Sequence, residues 1–478
     1  MSTLSAGSHD LPAFWLERAA SAHPAADALV TPAGEAVSFA ALGDRARRLC
    51  GALAGAGVAA RDAIGVCGVP AFQTALLLHA AARCGCAIVP VDPRRPGQWR
   101  TAVWLESGVS RAFSSAQELA ALEDEAAGPA EGATIDATPD DIHLIVATSS
   151  SGGEPRGAML AGRNLAASVH ACRERLGLQA HDRWLVCLPL HHLGGLSVLY
   201  RCVQAGACAV LHDGFDAARV WRDLGLRGIT HLSLVPAMLA HVLDAAGGAP
   251  PPGTLRRVVV GGAEVSPRLL ETARAAGWPV CTAYSCAETC SQIAASLPEE
   301  HSPAGCVGRP LDAFDVQVVD AHGHPTWEVG RIRVSGEAVM AGYANPERRP
   351  GLGLEEGWFT TGDLGRLDSG GRLWVTGRAD DILVTGGENV HPRQVEEVLR
   401  VCPEVGEVAV SGRPDPVWGA TLVALYTGAI PEPALRAWCR EHLHGALRPR
   451  VFLHVPELPR LGHGKVDRAG LRALATAG

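Results

Sequence analysis

Long apolar runs, an excess of positive charge and paired cysteines are missing from this chain of 478 residues. No apolar run approaches the roughly 18 residues that a helix needs to cross a bilayer, so the sequence predicts no membrane span. Basic residues number 42 against 50 acidic ones, and a net charge of −8 argues against a protein that coats nucleic acid. The 14 cysteines form no CxxC pair, which favours reduced core thiols over a secreted disulfide framework.

Two further features support a soluble cytoplasmic protein. The first residues, MSTLSAGSHDLPAFW, lack the basic segment and the apolar core of a signal peptide. Hydrophobic residues make up 47% and charged residues 19% of the chain, values typical of a globular protein. At roughly 150 residues per domain, the length allows about three folding units.

Lysine is the scarcest basic residue. Lys465 is the only lysine, and every other basic residue is an arginine. An ammonium and a guanidinium are not interchangeable where a compact charge must reach a crowded anionic centre. Because a composition-biased chain can also keep a stray surface lysine, the count alone leaves both interpretations open.

Apolar runs that alternate with helical patterns predict an α/β fold. The runs that we expect to form strands lie at 63–67, 87–91, 142–147, 184–190, 230–235 and 256–262. Since helical stretches separate them, they predict parallel sheets covered on both faces. After about residue 304, short alternating runs predict a small antiparallel sheet or barrel. From Asp380 onward, strands and helices predict a separable α+β unit.

A segment of small residues, TSSSGGEPRG (148–157), follows the expected strand at 142–147 and precedes a helix expected from about Arg163. Such residues let backbone amides turn inward around an anion, and the hydroxyls add hydrogen-bond donors. The segment is not the phosphate loop of mononucleotide-binding NTPases, because Ala158 and Met159 stand where lysine and serine or threonine are required. A surface loop would have the same composition.

Seven motifs occur together and in order. They are LPLHHLGG (188–195), VVVGGAE (258–264), TAYSCAETCSQ (282–292), VGRPL (307–311), GWFTTGDLG (357–365), GRADDILVTGGENVHPRQVEEVL (377–399) and LPRLGHGKVDR (458–468). This set resembles the adenylate-forming superfamily of acyl- and aryl-CoA synthetases, over essentially the whole chain. Within it, LPLHHLGGLSVLYR (188–201) and THLSLVPAML (230–239) look most like the o-succinylbenzoate–CoA ligases of menaquinone biosynthesis.

The resemblance implies a fold, a reaction and a domain division. It implies an N-terminal AMP-binding domain (1–379), with parallel α/β sheets and a small β-barrel-like subdomain, and a small mobile C-terminal domain (380–478). A carboxylate would attack the α-phosphate of ATP in the presence of Mg²⁺, and CoA would then displace AMP. Because two anions meet in the first step, a positive charge must lie between them, and the resemblance assigns that charge to Lys465.

The resemblance also assigns the other site residues. It assigns ATP and AMP binding to Thr148, Ser149, Ser150, Ser151, Gly152, Gly153, Arg156, Gly157, Gly261, Gly262, Ala263, Tyr284, Ser285, Asp363 and Arg378. It assigns catalysis to Lys465, His192 and Glu288, and Mg²⁺ binding to Glu288. It assigns the acyl pocket to His192, Gly194, Gly195 and Arg201, the hinge to Asp380, and the CoA-side loop to Gly386, Gly387 and Glu388.

Two motifs depart from the superfamily pattern. In the phosphate segment Ser150 replaces a glycine, Ser151 and Gly152 replace two threonines, and Arg156 replaces a lysine. In TAYSCAETCSQ, Ala287 replaces a phosphate-binding threonine. Because a lost neutral donor costs about 1–3 kcal/mol, these changes predict a slower enzyme or weaker ATP binding.

The identity of the acid and of the thiol stays open at this stage. The first hypothesis is ligation of o-succinylbenzoate to CoA, with Arg201 pairing the second carboxylate. The second is a ligase for benzoate- or anthranilate-type acids, or an enzyme that loads a carrier protein. The third is a non-catalytic nucleotide- or acyl-binding relative. A homodimer is also left open, and neither nucleic acid nor membrane insertion is expected.

Overall fold

The computed structural model describes residues 10–125, 137–149, 155–345, 347–385, 388–415, 418–461 and 466–477. The chain divides into two compact units. The first ends at Gln317 and also includes Arg333–Thr360 and Leu367–Trp374; the second comprises Val318–Ile332, Thr361–Arg366 and the chain from Val375 onward. The boundary expected between residues 379 and 380 stays a prediction.

The helices of the first unit alternate with its strands along the chain. Within the described residues they are α1 (Pro12–Ala22), α2 (Phe39–Gly55), α3 (Ala71–Arg83), α4 (Gly97–Glu106), α5 (Ala116–Glu125), α6 (Gly162–Leu176), α7 (Leu193–Ala205), α8 (Ala217–Leu226), α9 (Pro236–Ala246) and α10 (Pro267–Ala275). Those of the second unit are α11 (Pro392–Arg400), α12 (Glu432–His442) and α13 (Arg468–Ala477). No helix in the described ranges combines the length and apolar character needed to cross a bilayer.

The strands, in chain order, are as follows. They are β1 (Asp27–Val30), β2 (Ala36–Ser38), β3 (Ala63–Cys67), β4 (Ala87–Val91), β5 (Val109–Phe113), β6 (Ile142–Ser149), β7 (Pro155–Ala161), β8 (Arg183–Val186), β9 (Cys208–Leu211), β10 (His231–Leu234), β11 (Arg257–Val260), β12 (Val280–Cys286), β13 (Ser291–Ala295), β14 (Arg309–Pro310), β15 (Asp315–Val319), β16 (Gly330–Ser335), β17 (Gly342–Tyr343), β18 (Phe359–Leu367), β19 (Leu373–Arg378), β20 (Leu383–Thr385), β21 (Glu388–Val390), β22 (Val405–Asp415), β23 (Gly419–Gly428) and β24 (Val451–His454).

The largest sheet has nine strands in the order β14-β13-β12-β11-β10-β8-β9-β1-β2. Strands β1, β9, β8, β10, β11 and β12 pair in parallel, and β13 pairs antiparallel with β12. The strands expected at 184–190, 230–235 and 256–262 are β8, β10 and β11, each shorter than its apolar run. The prediction of a parallel sheet is confirmed, and it brings the carboxyl ends of several strands to one edge.

A second sheet of six strands has the order β17-β7-β6-β4-β3-β5. Strands β3 and β4 coincide with the predicted runs at 63–67 and 87–91, and β6, β4, β3 and β5 pair in parallel. The small-residue segment precedes a helix near Arg163, as predicted, but a strand that the sequence analysis missed lies between them. The segment connects β6 to the antiparallel strand β7, and α6 begins only after that strand.

Strand β7 was missed because Pro155 and Gly157 are residue types common in loops. In the structure Gly157 lies inside β7, where an added Cβ would be 2.7 Å from Cγ2 of Ile145. Glycine is required there by close packing and not by a turn, a distinction that composition does not reveal.

The remaining strands form smaller sheets. A four-stranded sheet, β15-β16-β18-β19, lies in the part of the chain where a β-barrel-like subdomain was predicted. In the second unit, β21-β20-β23-β22 form a sheet to which β24 adds beside β23. The mixture of these strands with α11, α12 and α13 agrees with the α+β prediction.

A buried carboxylate connects three elements of the second unit. Glu396 on α11 is 1% exposed, and its Oε1 accepts hydrogen bonds from Val410 N–H (2.8 Å) and from Nη1 of Arg468 (2.7 Å). Arg468, the first residue of α13, also donates to the carbonyl oxygen of Val410 and lies 3.6 Å from Asp381. The start of α13 is therefore held to α11 and β22 by charge-assisted bonds.

The expectation that all cysteines are reduced was wrong for one pair. Cys50 on α2 and Cys84, which caps the carboxyl end of α3, form a disulfide with 5.7 Å between their Cα atoms. The helices α2 and α3 pack together, and that Cα distance suits a disulfide. A sequence separation of 34 residues gave no local sign of the pairing, and the other 12 cysteines form no disulfide in the described structure.

Buried histidines give the first unit a predictable sensitivity to acid. Burial lowers the pKa of His79 and of His143 from 6.5 to about 4. Because the unfolded chain binds these protons and the folded chain does not, stability is full above about pH 6.5 and falls as the pH drops toward 4. We expect His143→Leu to reduce this loss, by about 1–3 kcal/mol between pH 7 and 4, in urea unfolding followed at several pH values.

The exposed His181 provides the matched control. The variant His181→Asn should leave the pH dependence of the unfolding free energy unchanged. A His143→Leu profile with the slope of the unmodified protein would contradict this account of the acid sensitivity.

Candidate active site

Five of the residues predicted to bind ATP and AMP lie at the carboxyl edge of the nine-stranded sheet. Gly261, Gly262 and Ala263 follow β11, and Tyr284 and Ser285 lie on the neighbouring strand β12. Gly262 has a φ of 77°, and a Cβ on Gly261 would lie 3.0 Å from the carbonyl oxygen of Ala283. These glycines allow a tight turn that packs closely on β12, at the sheet edge where parallel α/β sheets bind ligands.

Glu288 follows β12 on a short 3₁₀ turn, Ala287–Thr289. Its side chain is mostly buried, and its Oε1 accepts a hydrogen bond of 2.8 Å from the hydroxyl of Tyr343. The amide of Met340 donates to the carbonyl oxygen of Glu288 at 2.8 Å, which fixes the backbone as well. One carboxylate oxygen thus accepts from a neutral donor, and the other is left as a hard ligand. This arrangement fits Mg²⁺, which keeps several waters and binds few protein groups.

The threonine beside Glu288 does not replace the hydroxyl lost at Ala287. The Oγ1 of Thr289 lies 3.2 Å from the carbonyl oxygen of Cys286 and 3.1 Å from that of Ser291, and the residue is fully buried. Its hydroxyl therefore donates to the backbone. Thr289 therefore supplies no substitute for the hydroxyl that the resemblance expects at position 287.

The ends of the phosphate segment are described, whereas Ser150, Ser151, Gly152 and Gly153 lie outside the described residues. Thr148 lies on β6, and its hydroxyl donates to the carbonyl oxygen of Arg156 on β7 at 3.2 Å. Ser149 pairs with Pro155 across the two strands. The guanidinium of Arg156 lies 5.3 Å from the ring centroid of Tyr343, the residue that contacts Glu288.

Asp363 and Arg378 lie on the adjacent strands β18 and β19, in the second unit. Oδ1 of Asp363 is 3.6 Å from Nη1 of Arg378. Thr361 accepts a hydrogen bond from the amide of Asp363 at 3.1 Å and donates to Ile332 at 2.9 Å. The guanidinium also covers Gly362, where a side chain would collide with it. A carboxylate held this firmly suits the recognition of two neighbouring hydroxyls.

The predicted acyl-side residues surround the start of α7. His192 occupies the N-cap position, and its ring lies 4.5 Å from that of His191, centroid to centroid. A Cβ on Gly195 would be 2.7 Å from the carbonyl oxygen of Leu188, and one on Gly194 would be 3.1 Å from a methyl of Leu188. The two glycines thus let the helix start pack tightly on the preceding loop.

An acidic residue from the second sheet approaches the same histidines. Nε2 of His191 is 3.6 Å from Oδ2 of Asp92, which follows β4. Burial opposes ionisation of Asp92, but hydrogen bonds from Arg94 outweigh it and lower the pKa of Asp92 to about 2. Burial lowers the pKa of His191 as well. At neutral pH this corner therefore contains an anionic carboxylate beside a neutral imidazole.

Arg201 is the most unusual charged residue of the first unit. It is 2% exposed, and its Nε and Nη2 have no hydrogen-bond partner among the described residues. The guanidinium lies 5.6 Å from the ring centroid of Trp184. Ser197 and Tyr200, four and one residues earlier on α7, also have buried hydroxyls without a partner. Buried donors without acceptors are costly, so an anionic ligand would satisfy an existing deficit.

Several predicted residues cannot be placed. Lys465, Gly386 and Gly387 lie outside the described residues. The backbone of Asp380 lies in a short 3₁₀ turn, Ala379–Asp381, and Glu388 is exposed at the start of β21. The hinge, the CoA-side loop and the lysine remain predictions from the sequence.

Tyr343 is the residue that the sequence analysis missed. Tyr343 lies on β17, which pairs with β7, and its hydroxyl contacts Glu288. The two residues are 55 positions apart in the sequence. No local pattern encodes that contact. The scarcity of tyrosine, 4 residues in the chain, was the one available signal.

Comparisons with known proteins agree with this arrangement. The chain matches the AMP-binding enzyme family over residues 16–344 and the AMP-binding enzyme C-terminal domain over residues 394–465. It is 38% identical to a 2-succinylbenzoate–CoA ligase of Bacillus licheniformis over 336 residues, 69% of each protein. The chain therefore belongs to the family of AMP-binding enzymes.

Solved structures extend the similarity across the whole chain. An o-succinylbenzoate CoA synthetase from Bacillus subtilis, in complex with its acyl-adenylate intermediate, superposes with a TM-score of 0.85 at 30% identity, covering 96% of this chain and 97% of that one. The same enzyme in complex with ATP and a magnesium ion gives 0.85 at 30% identity, with coverage of 95% and 98%. The predicted fold and superfamily are confirmed.

Proposed function

We propose that this protein is an ATP-dependent, AMP-forming ligase that activates o-succinylbenzoate as an acyl-adenylate and transfers the acyl group to CoA. The family and the relatives named above support the reaction class and the substrate. The observation that carries the choice of a dicarboxylate is the buried Arg201, whose guanidinium has two nitrogens without a hydrogen-bond partner in the part of the chain that the structure describes. A monocarboxylic acid would leave that charge unpaired in the core, whereas a second carboxylate would neutralise it.

The first half-reaction joins the acid to the nucleotide. A carboxylate oxygen of the acid attacks the α-phosphorus of ATP, the bond from that phosphorus to the bridging oxygen breaks, and pyrophosphate leaves. Tyr284 and the backbone at Gly261–Ala263 would bind adenine, and Asp363 would accept hydrogen bonds from the ribose. Lys465 would neutralise the charge shared by the two approaching anions.

The metal ion that accompanies ATP would be held by Glu288. When bound, Mg²⁺ neutralises phosphate charge and withdraws electrons from the departing pyrophosphate. The residues of the chain orient the substrates around it: Arg156 and Thr148 at the phosphate segment, and Arg378 beside Asp363.

The second half-reaction releases AMP. The sulfur of CoA attacks the acyl carbon, the bond between that carbon and the phosphate oxygen breaks, and AMP leaves while the thiol proton passes to the solvent. The C-terminal unit, turning about Asp380, would exchange Lys465 for the loop Gly386–Glu388 between the two steps.

A panel of carboxylic acids tests this proposal. Pyrophosphate release should be fastest with o-succinylbenzoate and weak with benzoate and anthranilate, and a thioester should form with CoA but not with a phosphopantetheinyl carrier protein. A preference for a monocarboxylic acid, or for the carrier protein, would contradict the proposed substrates. Binding of AMP without pyrophosphate release from any acid would favour a non-catalytic relative.

A further inference from the structure

One aromatic side chain contacts two charged residues of the candidate ATP site in the first unit. The hydroxyl of Tyr343 donates to Oε1 of Glu288 at 2.8 Å. The guanidinium of Arg156, which replaces the usual lysine of the phosphate segment, lies 5.3 Å from the centroid of the same ring. Tyr343 therefore connects the carboxylate expected to bind the metal with a cation expected to bind phosphate.

The ring has little freedom to take another position. The amide of Tyr343 donates to the carbonyl oxygen of Leu352 at 2.8 Å, and Phe359 packs edge-on against the ring at 6.5 Å between centroids. Gly353 has a φ of 86°, and a Cβ there would lie 2.6 Å from Cε2 of Tyr343. The backbone of β17 fixes the position of the ring, and Gly353 leaves space for it that any larger residue would fill.

A fixed donor on one oxygen of a carboxylate orients the other. Oε1 of Glu288 is bonded to the hydroxyl of Tyr343, so Oε2 is the oxygen left for a ligand. Partial rotation of the carboxylate would break the hydrogen bond, which therefore holds Oε2 in one direction. An arginine also stacks more favourably than a lysine on a ring face, because its planar cation matches the π surface. The substitution at position 156 therefore strengthens contact with this ring.

We propose that Tyr343 is a positioning residue that presents Glu288 to the metal ion of the nucleotide and, through its ring face, holds Arg156 at the phosphate segment. The proposal rests on the proposed function, since it assumes that Glu288 binds Mg²⁺. It assigns the two contacts of Tyr343 to different atoms. The hydroxyl governs metal coupling, and the ring governs the position of Arg156.

Two variants separate these contacts. Tyr343→Phe removes the hydroxyl and keeps the ring, whereas Tyr343→Leu removes both. The readout is the affinity for α,β-methylene ATP, which cannot release pyrophosphate, measured by calorimetry with and without Mg²⁺. Electron paramagnetic resonance of Mn²⁺ in the same complex provides a second readout that does not depend on turnover.

In the unmodified protein, Mg²⁺ should strengthen binding of the analogue. In Tyr343→Phe that strengthening should shrink by about 10- to 100-fold, the usual effect of removing a residue that orients a metal ligand, while metal-free affinity stays the same. Tyr343→Leu should show the same loss and, in addition, a metal-free affinity about two- to fivefold weaker. In a Glu288→Gln background, Tyr343→Phe should have no further effect on metal coupling.

The variant Tyr426→Phe is the matched control, because it removes the phenol oxygen of a buried tyrosine on β23 of the second unit, to which no role in the site is assigned. It should leave metal coupling unchanged. Unchanged coupling in Tyr343→Phe, with clear coupling in the unmodified protein, would overturn the role of Tyr343 and leave the proposed function intact. Failure of the proposed function would appear separately, as an absence of pyrophosphate release from any acid by the unmodified protein.

Discussion

Replacing Lys465 by arginine should slow adenylate formation by a factor of about 10²–10³, the usual effect of removing one group that stabilises transition-state charge. The guanidinium keeps the charge but is larger and planar, so it cannot occupy the space between a carboxylate and an α-phosphate in the way that an ammonium can. Transfer from a supplied acyl-adenylate to CoA should be retained, because that step would use the other orientation of the C-terminal unit. Pyrophosphate release and thioester formation, measured separately, distinguish the two steps.

The control is the reverse exchange, arginine to lysine, at a position close to Lys465 in the sequence. Arg472 is exposed on α13, and Arg472→Lys should leave both half-reactions unchanged. Equal losses of both half-reactions in Lys465→Arg would indicate a role in folding. Normal adenylate formation by that variant would remove the lysine from the mechanism altogether.

Replacing Arg201 by leucine should raise KM for o-succinylbenzoate by about 10- to 100-fold, since a charge-assisted bond to a buried carboxylate is worth about 1.5–3 kcal/mol. KM for benzoate, which has no second carboxylate, should change little. The variant should also be at least as stable as the unmodified protein. It removes a guanidinium that is 2% exposed and has two nitrogens without a partner among the described residues.

The two acids act as internal controls for each other. Steady-state kinetics with both acids and thermal unfolding without substrate test the three expectations. Equal increases in KM for the two acids would mean that Arg201 shapes the pocket without reading the second carboxylate. A large loss of stability would mean that its charge has a partner within the fold.

The sequence predicted those parts of the fold that local pattern determines. Runs such as AIGVC at 63–67 are apolar throughout, and only a strand buried on both faces satisfies such a run. Strand β7 escaped prediction because Gly157 serves a contact with Ile145 that exists only after β6 and β7 have paired. The Cys50–Cys84 pair escaped for the same reason, since it depends on the packing of two helices.

The candidate site shows the same division. Glu288 and Asp363 were found because they lie within dense motifs whose chemistry can be argued from residue type. Tyr343 was not found, because its role follows from a hydrogen bond to a residue 55 positions away. The sequence also could not show that two nitrogens of Arg201 lack partners among the residues that the structure describes, because partners are set by packing.

The buried contacts of Arg468 bear on how far the single ammonium of the chain can reach. Glu396 and Val410 hold Arg468 in place, and Lys465 precedes it by three positions. Three residues span at most about 11 Å, so the backbone of Lys465 stays within that distance of Arg468. A larger displacement of Lys465 therefore requires α13 to move, together with α11 and β22, to which Arg468 is bonded.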